Sequence, residues 1–265
     1  METIADGSAS NLQSVSDPAF DRDTFLLQKR LLTLSEEYDI CDEDGNPILY
    51  VQRPVHQALG CLALVAALFA FFVVLAVVMI TVTMLAPRST SSFVLAFAFP
   101  FGAVAAVLAA IAMRPKRHAT FYRDASKGEI VLRVKQDRRF QPIVARYTVL
   151  DTAGRPLAKF YKNHLHNFFR KRWECFAVDG KLLCVALELA HMALVRQTLE
   201  RVFSNVATNF SILRRDSDVA IGEFNRKATI LSHHALDLKA DSARSLDRRI
   251  ALALGVMLDS GERGE

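Results

Sequence analysis

The sequence predicts an α+β protein: a closed antiparallel β-barrel of about a dozen short strands around a hydrophobic C-terminal helix, with a two-helix transmembrane hairpin inserted between two of the strands. Three observations carry this. Apolar alternating segments recur on both sides of turn signals. Two long stretches, 57–86 and 93–113, hold no charge at all. Residues 250–258 are nine consecutive apolar residues, followed by Asp259.

The first strands come before the hairpin. FLLQKRLLTL, EYDI and PILYVQRP read as short strands around the turn CDEDGN.

Gln57 to Ala86 is 30 residues without a charge, and Phe93 to Met113 adds 21. About 20 such residues cross a bilayer, so both stretches read as spans rather than as a buried helical pair of a soluble core. The connector Pro87-Arg88-Ser89-Thr90-Ser91-Ser92 is too short to fold and makes the pair an antiparallel hairpin. Gly102, Ala106 and Ala110 recur every fourth residue and allow close backbone approach. Pro100 sits near the start of the second span, where a packed pair tolerates it. An apolar stretch that begins at residue 57, with no cationic start before it, does not read as a signal peptide.

Charge gives the orientation. Residues 1–56 hold four Lys/Arg against eleven Asp/Glu, residues 57–113 hold Arg88 alone, and residues 114–265 hold 28 against 17. Arg114, Lys116 and Arg117 directly follow the second span. Cations stay on the cytoplasmic side, so an integral membrane protein with two spans is expected, with both termini and the barrel cytoplasmic. The basic body would suit anionic lipid or nucleic acid, but no arginine-rich run or nucleic-acid motif supports the latter, and no nucleic-acid partner is expected.

After the hairpin come four strand–turn–strand units, turning at Ser126-Lys127-Gly128, Thr152-Ala153-Gly154, Asp179-Gly180 and Asp216-Ser217. Asp-Gly between apolar alternation is a strong hairpin signal because both positions of a two-residue turn need positive φ. A weak repeat is visible: Asp42-x-x-Gly45-x-Pro47-Ile48 returns as Asp151-x-x-Gly154-x-Pro156-Leu157, a hairpin corner with Pro where a strand begins. In residues 188–206 Met192, Val195, Leu199, Val202, Phe203 and Val206 share one helical face. That helix either packs on the sheet or lies on a membrane surface.

The final apolar stretch has a start cap in Asp247 or Ser245 and ends at Asp259-Ser260-Gly261. Nine residues span about 14 Å, half a bilayer core, so it is not a third span. A helix apolar on all sides must be surrounded by protein.

Together FLLQKRLLTLSEEYDICDEDGNPILYVQRP, YTVLDTAGRPLAKF and LDRRIALALGVMLD resemble the superfamily of tubby-like domains, phospholipid scramblases and plant LURP-one-related proteins. The resemblance covers residues 24–55 and 117–260. It implies a barrel of about twelve strands, closed so that no edge is left, and threaded by a hydrophobic C-terminal helix. The inserted hairpin departs from the family pattern. The organisation expected is a flexible acidic N-terminus at 1–23, a first barrel part at 24–55, the helical hairpin at 56–116, the remaining barrel at 117–260 with its central helix at 245–259, and a tail at 261–265.

Chemistry is sparse. Cys41, Cys61, Cys175 and Cys184 form no Cys-x-x-Cys pair. A two-residue turn at Asp179-Gly180 would set Cys175 opposite Cys184; a disulfide is then conceivable, and a cytoplasmic location favours two buried thiols. His164 and His166 would share a strand face but lack a third ligand, and His233 and His234 would point to opposite faces. The DEDG turn lacks the spaced ligands of a calcium loop. No phosphate loop, catalytic triad order or nucleophile elbow is present, so no enzyme, cofactor or metal is expected.

What remains is KNHLHNFFRKRW, residues 162–173. Lys162, Arg170, Lys171 and Arg172 would meet anionic headgroups, as would Arg114, Lys116 and Arg117, while Phe168, Phe169 and Trp173 would sit at headgroup depth. The alternative is a solvated loop whose aromatics enter the core. Tubby-like domains bind phosphoinositides, so the resemblance implies membrane lipid as the partner. The functional expectation is a membrane-anchored, non-enzymatic lipid-binding or tethered module. A scramblase-type lipid transporter and a protein-binding scaffold are the alternatives.

Overall fold

The computed structural model describes residues 17–30, 36–53, 57–85, 91–113, 118–139, 141, 143–164, 171–189, 209–215, 217, 219–227 and 233–261. After a 3-10 turn at Pro18–Phe20, capped by Asp17, come β1 (Thr24–Lys29), β2 (Glu36–Cys41) and β3 (Pro47–Arg53). Helices α1 (Gln57–Leu85) and α2 (Ser91–Met113) follow. The chain then forms β4 (His118–Tyr122), β5 (Ile130–Gln136), β6 (Val144–Leu150), β7 (Pro156–Asn163), β8 (Arg172–Ala177) and β9 (Leu182–Glu188). Last come β10 (Phe210–Arg214), β11 (Ala220–Lys227), β12 (His233–Asp237) and α3 (Arg248–Gly261).

Every strand pairs antiparallel with its sequence neighbours, and β1 pairs with β12, so the sheet is a closed up-and-down barrel of twelve strands. Closure removes the unpaired edges an open sheet would expose. The expected fold class is borne out in its α+β content and closed barrel.

Because the chain reverses at each strand, its connections alternate between two ends. A turn end carries 17–23, 42–46, 123–129, 151–155, 178–181, 215–219 and 238–247. At the other, helix end lie the strand termini joined by 30–35, 54–117, 137–143, 164–171, 189–209 and 228–232. Both α1 and α2 therefore root at the helix end.

Three turn-end hairpins share one construction. Asp42, Asp151 and Ala177 each accept a bond from a glycine three residues on, at 3.0–3.1 Å, and donate to the carbonyl of the residue after it. Gly45, Gly154 and Gly180 have φ of 87°, 78° and 87°, a conformation that favours glycine. One residue beyond the first strand pair, each returning strand carries an extra residue: Ile48, Leu157 and Leu183. These three aliphatics pack against the core. The repeat read as two copies thus has a third in β8–β9. It also corrects the two-residue turn expected at Asp179-Gly180. The loop holds three residues, Val178 to Gly180, and the extra Leu183 restores the register that sets Cys175 against Cys184.

Strand alternation sends Phe25, Leu27, Tyr38, Ile40, Phe121, Phe160 and Phe224 into one core. Residues 250–258 of α3 are all buried, and all but Gly255 belong to the same cluster at no more than 6% exposure. Asp247 caps the helix by accepting from Arg249 N–H at 2.9 Å, whereas Ser245 bonds Asp241 instead. At the turn end Arg248 meets Asp23 and Asp241, and at the helix end Asp259 accepts from Tyr38 Oη at 2.6 Å and lies 2.9 Å from His234 Nε2. Gly222 on β11 has no room for a side chain: a Cβ there would lie 2.6 Å from Leu238 Cδ2 and 2.8 Å from the Asp237 carbonyl.

Helices α1 and α2 pack on each other. Phe71 meets Phe99 edge-on at 5.4 Å, and a Cβ on Gly102 would come within 2.9 Å of the Phe71 ring. That is the close approach expected of Gly102. The window Leu64–Thr81 has mean hydropathy 3.0 and is unburied apart from Ala67, so α1 is long and apolar enough to cross a membrane; Phe99–Ala110 of α2 is a shorter apolar run. The expected helix at 188–206 lies almost wholly outside the described residues, and Glu188, placed at its start, is the last residue of β9.

Candidate functional site

The basic-aromatic run meets the barrel on β7 and β8, and pleating decides which side chains face out. On β7 Ala158, Phe160 and Lys162 turn inward; on β8 Trp173 and Cys175 do. Trp173 is 2% exposed and Lys162 is 3%, with Lys162 Nζ 5.7 Å from the indole centroid. The expectations of an interfacial Trp173 and a lipid-facing Lys162 are therefore corrected, because each falls on the core-facing pleat of its strand, the even positions of β7 and the odd positions of β8. Tyr147 lies 5.8 Å from the same indole. Arg172 turns outward, 2.8 Å from Glu174. The Lys171 backbone pairs with Glu188. Phe168, Phe169, Arg170, Arg114, Lys116 and Arg117 lie outside the described residues.

Topology nevertheless gathers charge by end. The connections whose strand termini lie at the helix end, with the helices' flanks 54–56 and 114–117, contain ten Lys/Arg against two Asp/Glu. Those of the turn end contain eight against fourteen.

The outer wall differs from strand to strand. A groove of about 270 Å³ runs along β1–β3 and the β4–β5 turn. Its cations are neutralised: Arg30 grips Asp39 through two bonds of 2.7 and 2.9 Å, and Arg123 meets Asp17 and Glu129. Tyr50, outward-facing but 3% exposed, lies under Arg30 and Lys127, and burial with a bond to Glu37 pushes its phenol up. The wall of β5–β7 is the reverse. Arg133, Lys135, Arg146 and Lys159 face outward there, and Arg138 and Arg139 follow β5; none of the six has a carboxylate partner among the described residues. Register sets Lys135 and Lys159 on either side of Thr148, with Arg146 two residues before it. Asp137 is the carboxylate within this patch, and the Thr148 hydroxyl donates to it at 2.7 Å. Arg146 lies 5.4 Å above the Tyr161 ring, which meets Phe176 edge-on at 5.0 Å. Sequence reasoning passed over these cations because they are scattered over three strands; only the pairing register brings them together.

The thiols of Cys175 and Cys184 are buried and unbridged, and their mutual hydrogen bond and burial raise the Cys175 thiol well above its ordinary range. His234 is buried, stacked on Phe224 at 5.2 Å, and His166 lies outside the described residues. Among the described residues no His/Cys/Asp/Glu group is arranged to hold a metal.

No curated protein and no solved structure matches the chain. The family model described as LURP-one-related matches residues 112–259, more than half of the chain, which takes in β4 to β12 and nearly all of α3. The chain therefore belongs to the LURP-one-related family, within the tubby-like/scramblase superfamily.

Proposed function

We propose that this protein is a membrane-anchored, non-enzymatic binding module. In this reading α1 and α2 are a two-span hairpin, the barrel with α3 threaded through it and both termini stay cytoplasmic, and the partner is anionic membrane lipid. One observation carries it: the end of the barrel from which the apolar helices depart is also the cationic end, and the opposite end is acidic. A barrel held by those helices presents its cations to the headgroups and its carboxylates to water, the arrangement with the lower energy beside an anionic leaflet. Arg114, Lys116, Arg117, Arg170, Lys171 and Arg172, with Phe168 and Phe169, are the residues nearest the bilayer in this arrangement. The threaded α3 is supported by contacts at both ends, Arg248 with Asp23 and Asp259 with Tyr38. A lipid transporter is the weaker reading, since headgroups need a polar path and the Thr81 hydroxyl donates to Val77 O of its own helix.

Reporter fusions at Glu265 and within Ser89–Ser92 should report opposite compartments, and an extracytoplasmic Glu265 would remove the orientation. The full chain, purified in detergent, should bind micelles doped with phosphatidylserine more tightly than phosphatidylcholine micelles, with the difference vanishing at high salt. Equal binding would leave a tethered scaffold. Rapid lipid flipping in reconstituted vesicles would favour the transporter.

A further inference from the structure

We infer that the outer wall of β5–β7 is a lateral docking surface for anionic lipid headgroups, continuous through Arg138 and Arg139 with the cationic helix end and extending it along the side of the barrel. The inference rests on the membrane-anchored reading and adds to it Arg133, Lys135, Arg146 and Lys159, strand residues that the reading does not use.

Elsewhere on the described barrel, outward cations such as Lys29, Arg155 and Lys239 sit against carboxylates, those of Glu36, Asp151 and Glu43. The partnerless cations named above are confined to one wall. An outward cation without a counter-ion gains little from folding and raises the local potential, so six against the single carboxylate of Asp137 leave a strong positive field there. Strands lie about 4.8 Å apart, which puts Lys135 and Lys159, separated by two strand spacings, at roughly 10 Å. That spread is too wide to close around one phosphate and suits several headgroups of a surface. The rings of Tyr161 and Phe176 lie beside the cations, as aromatic side chains do at headgroup depth. Position agrees as well. The next strand, β4, starts five residues after α2 ends, and Arg146 and Arg138 lie toward the helix end of the wall. An acidic protein segment would find the same charge, but the nearness of the helical root and the aromatic pair favours lipid.

The test uses the native full chain reconstituted into vesicles of phosphatidylcholine alone or with phosphatidylserine. Lysines are acylated in a timed pulse and read by mass spectrometry. Phosphatidylserine should slow the labelling of Lys135 and Lys159 about fivefold, the factor expected of one headgroup contact. Lys181 and Lys239 at the turn end should label alike in both vesicles. High salt should restore Lys135 and Lys159, because exposed charges are screened over about 8 Å at physiological ionic strength. Equal labelling of Lys135 and Lys159 in both vesicles overturns the inference while leaving the anchored reading intact. Protection in phosphatidylcholine vesicles by inorganic phosphate, or by added polyglutamate, overturns it in favour of a free-anion site or an acidic protein partner. A chain that does not incorporate into vesicles at all removes the anchored reading and this inference with it.

Discussion

Replacing Asp241 by Asn should unlatch the start of α3. Asp241 is completely buried and accepts four bonds: from Ser245 N–H at 3.0 Å, Ser245 Oγ at 2.7 Å, Leu246 N–H at 3.0 Å and Arg248 Nη1 at 2.8 Å. Burial opposes the charge, yet the Leu246 amide, the Ser245 hydroxyl and the Arg248 guanidinium together hold the carboxyl down at about 2. Asparagine is isosteric but neutral, and its amide group would face a guanidinium that is itself 6% exposed. Breaking a buried pair on one side costs about 3–5 kcal/mol. Arg248 keeps Asp23 at 2.7 Å, so the lower part of that range, about 3 kcal/mol, is expected. The chain has one tryptophan, Trp173, and it is in the barrel core, so its fluorescence in detergent reports barrel unfolding without interference from α1 and α2. The Asn variant should unfold at clearly lower denaturant at pH 7. A folded pKa below the unfolded one means stability that is present above about 3.8 and lost as pH falls through about 2. The gap between wild type and variant should therefore close between pH 4 and pH 2. Equal midpoints at pH 7, or a gap that persists at pH 2, would refute the latch.

Gly222→Ala should destabilise the barrel by about 1–3 kcal/mol, since the new Cβ meets the Asp237 carbonyl as well as the yielding Leu238 side chain; an unchanged midpoint in the same titration would mean that β11 and β12 part more easily than their spacing implies. Cys175 and Cys184 should resist a thiol reagent at neutral pH in the folded protein and react on unfolding, because burial and their mutual bond disfavour the thiolate. Fast modification of either thiol in native conditions would show that β8 and β9 open locally.

Local signals read well where one residue type does one job. Gly45 and Gly154 mark left-handed turn positions, and Pro47 and Pro156 mark strand starts, so two corners and their strands were legible. The third corner was misread at Asp179-Gly180 because its opening residue is Ala177 and its strand starts with Leu182, which hides the shared frame; the cysteine register survived since a loop one residue longer is offset by the extra Leu183. Trp173 and Lys162 were misplaced for a different reason. A run of basic and aromatic residues has the composition of an interface, but once it enters a strand, parity decides its direction. Asp241 and Arg248 gave no local sign of their pairing, which depends on how the chain turns from β12 into α3.

The seam at which the helices enter has mechanical consequences. Between β3 and β4 the ladder has three residue pairs, Tyr50–Tyr122, Val51–Phe121 and Gln52–Thr120, against seven between β6 and β7. Any tension that separates α1 from α2 reaches this seam at its Gln52–Thr120 rung and peels it, loading one pair at a time, instead of shearing all the pairs at once. The helical pair, clasped by Phe71 over Gly102, thus works as a clip across the weakest rib of the barrel. A bilayer that squeezed the helices together would tighten the staves, and one that pried them apart would open the barrel beside its own basic wall.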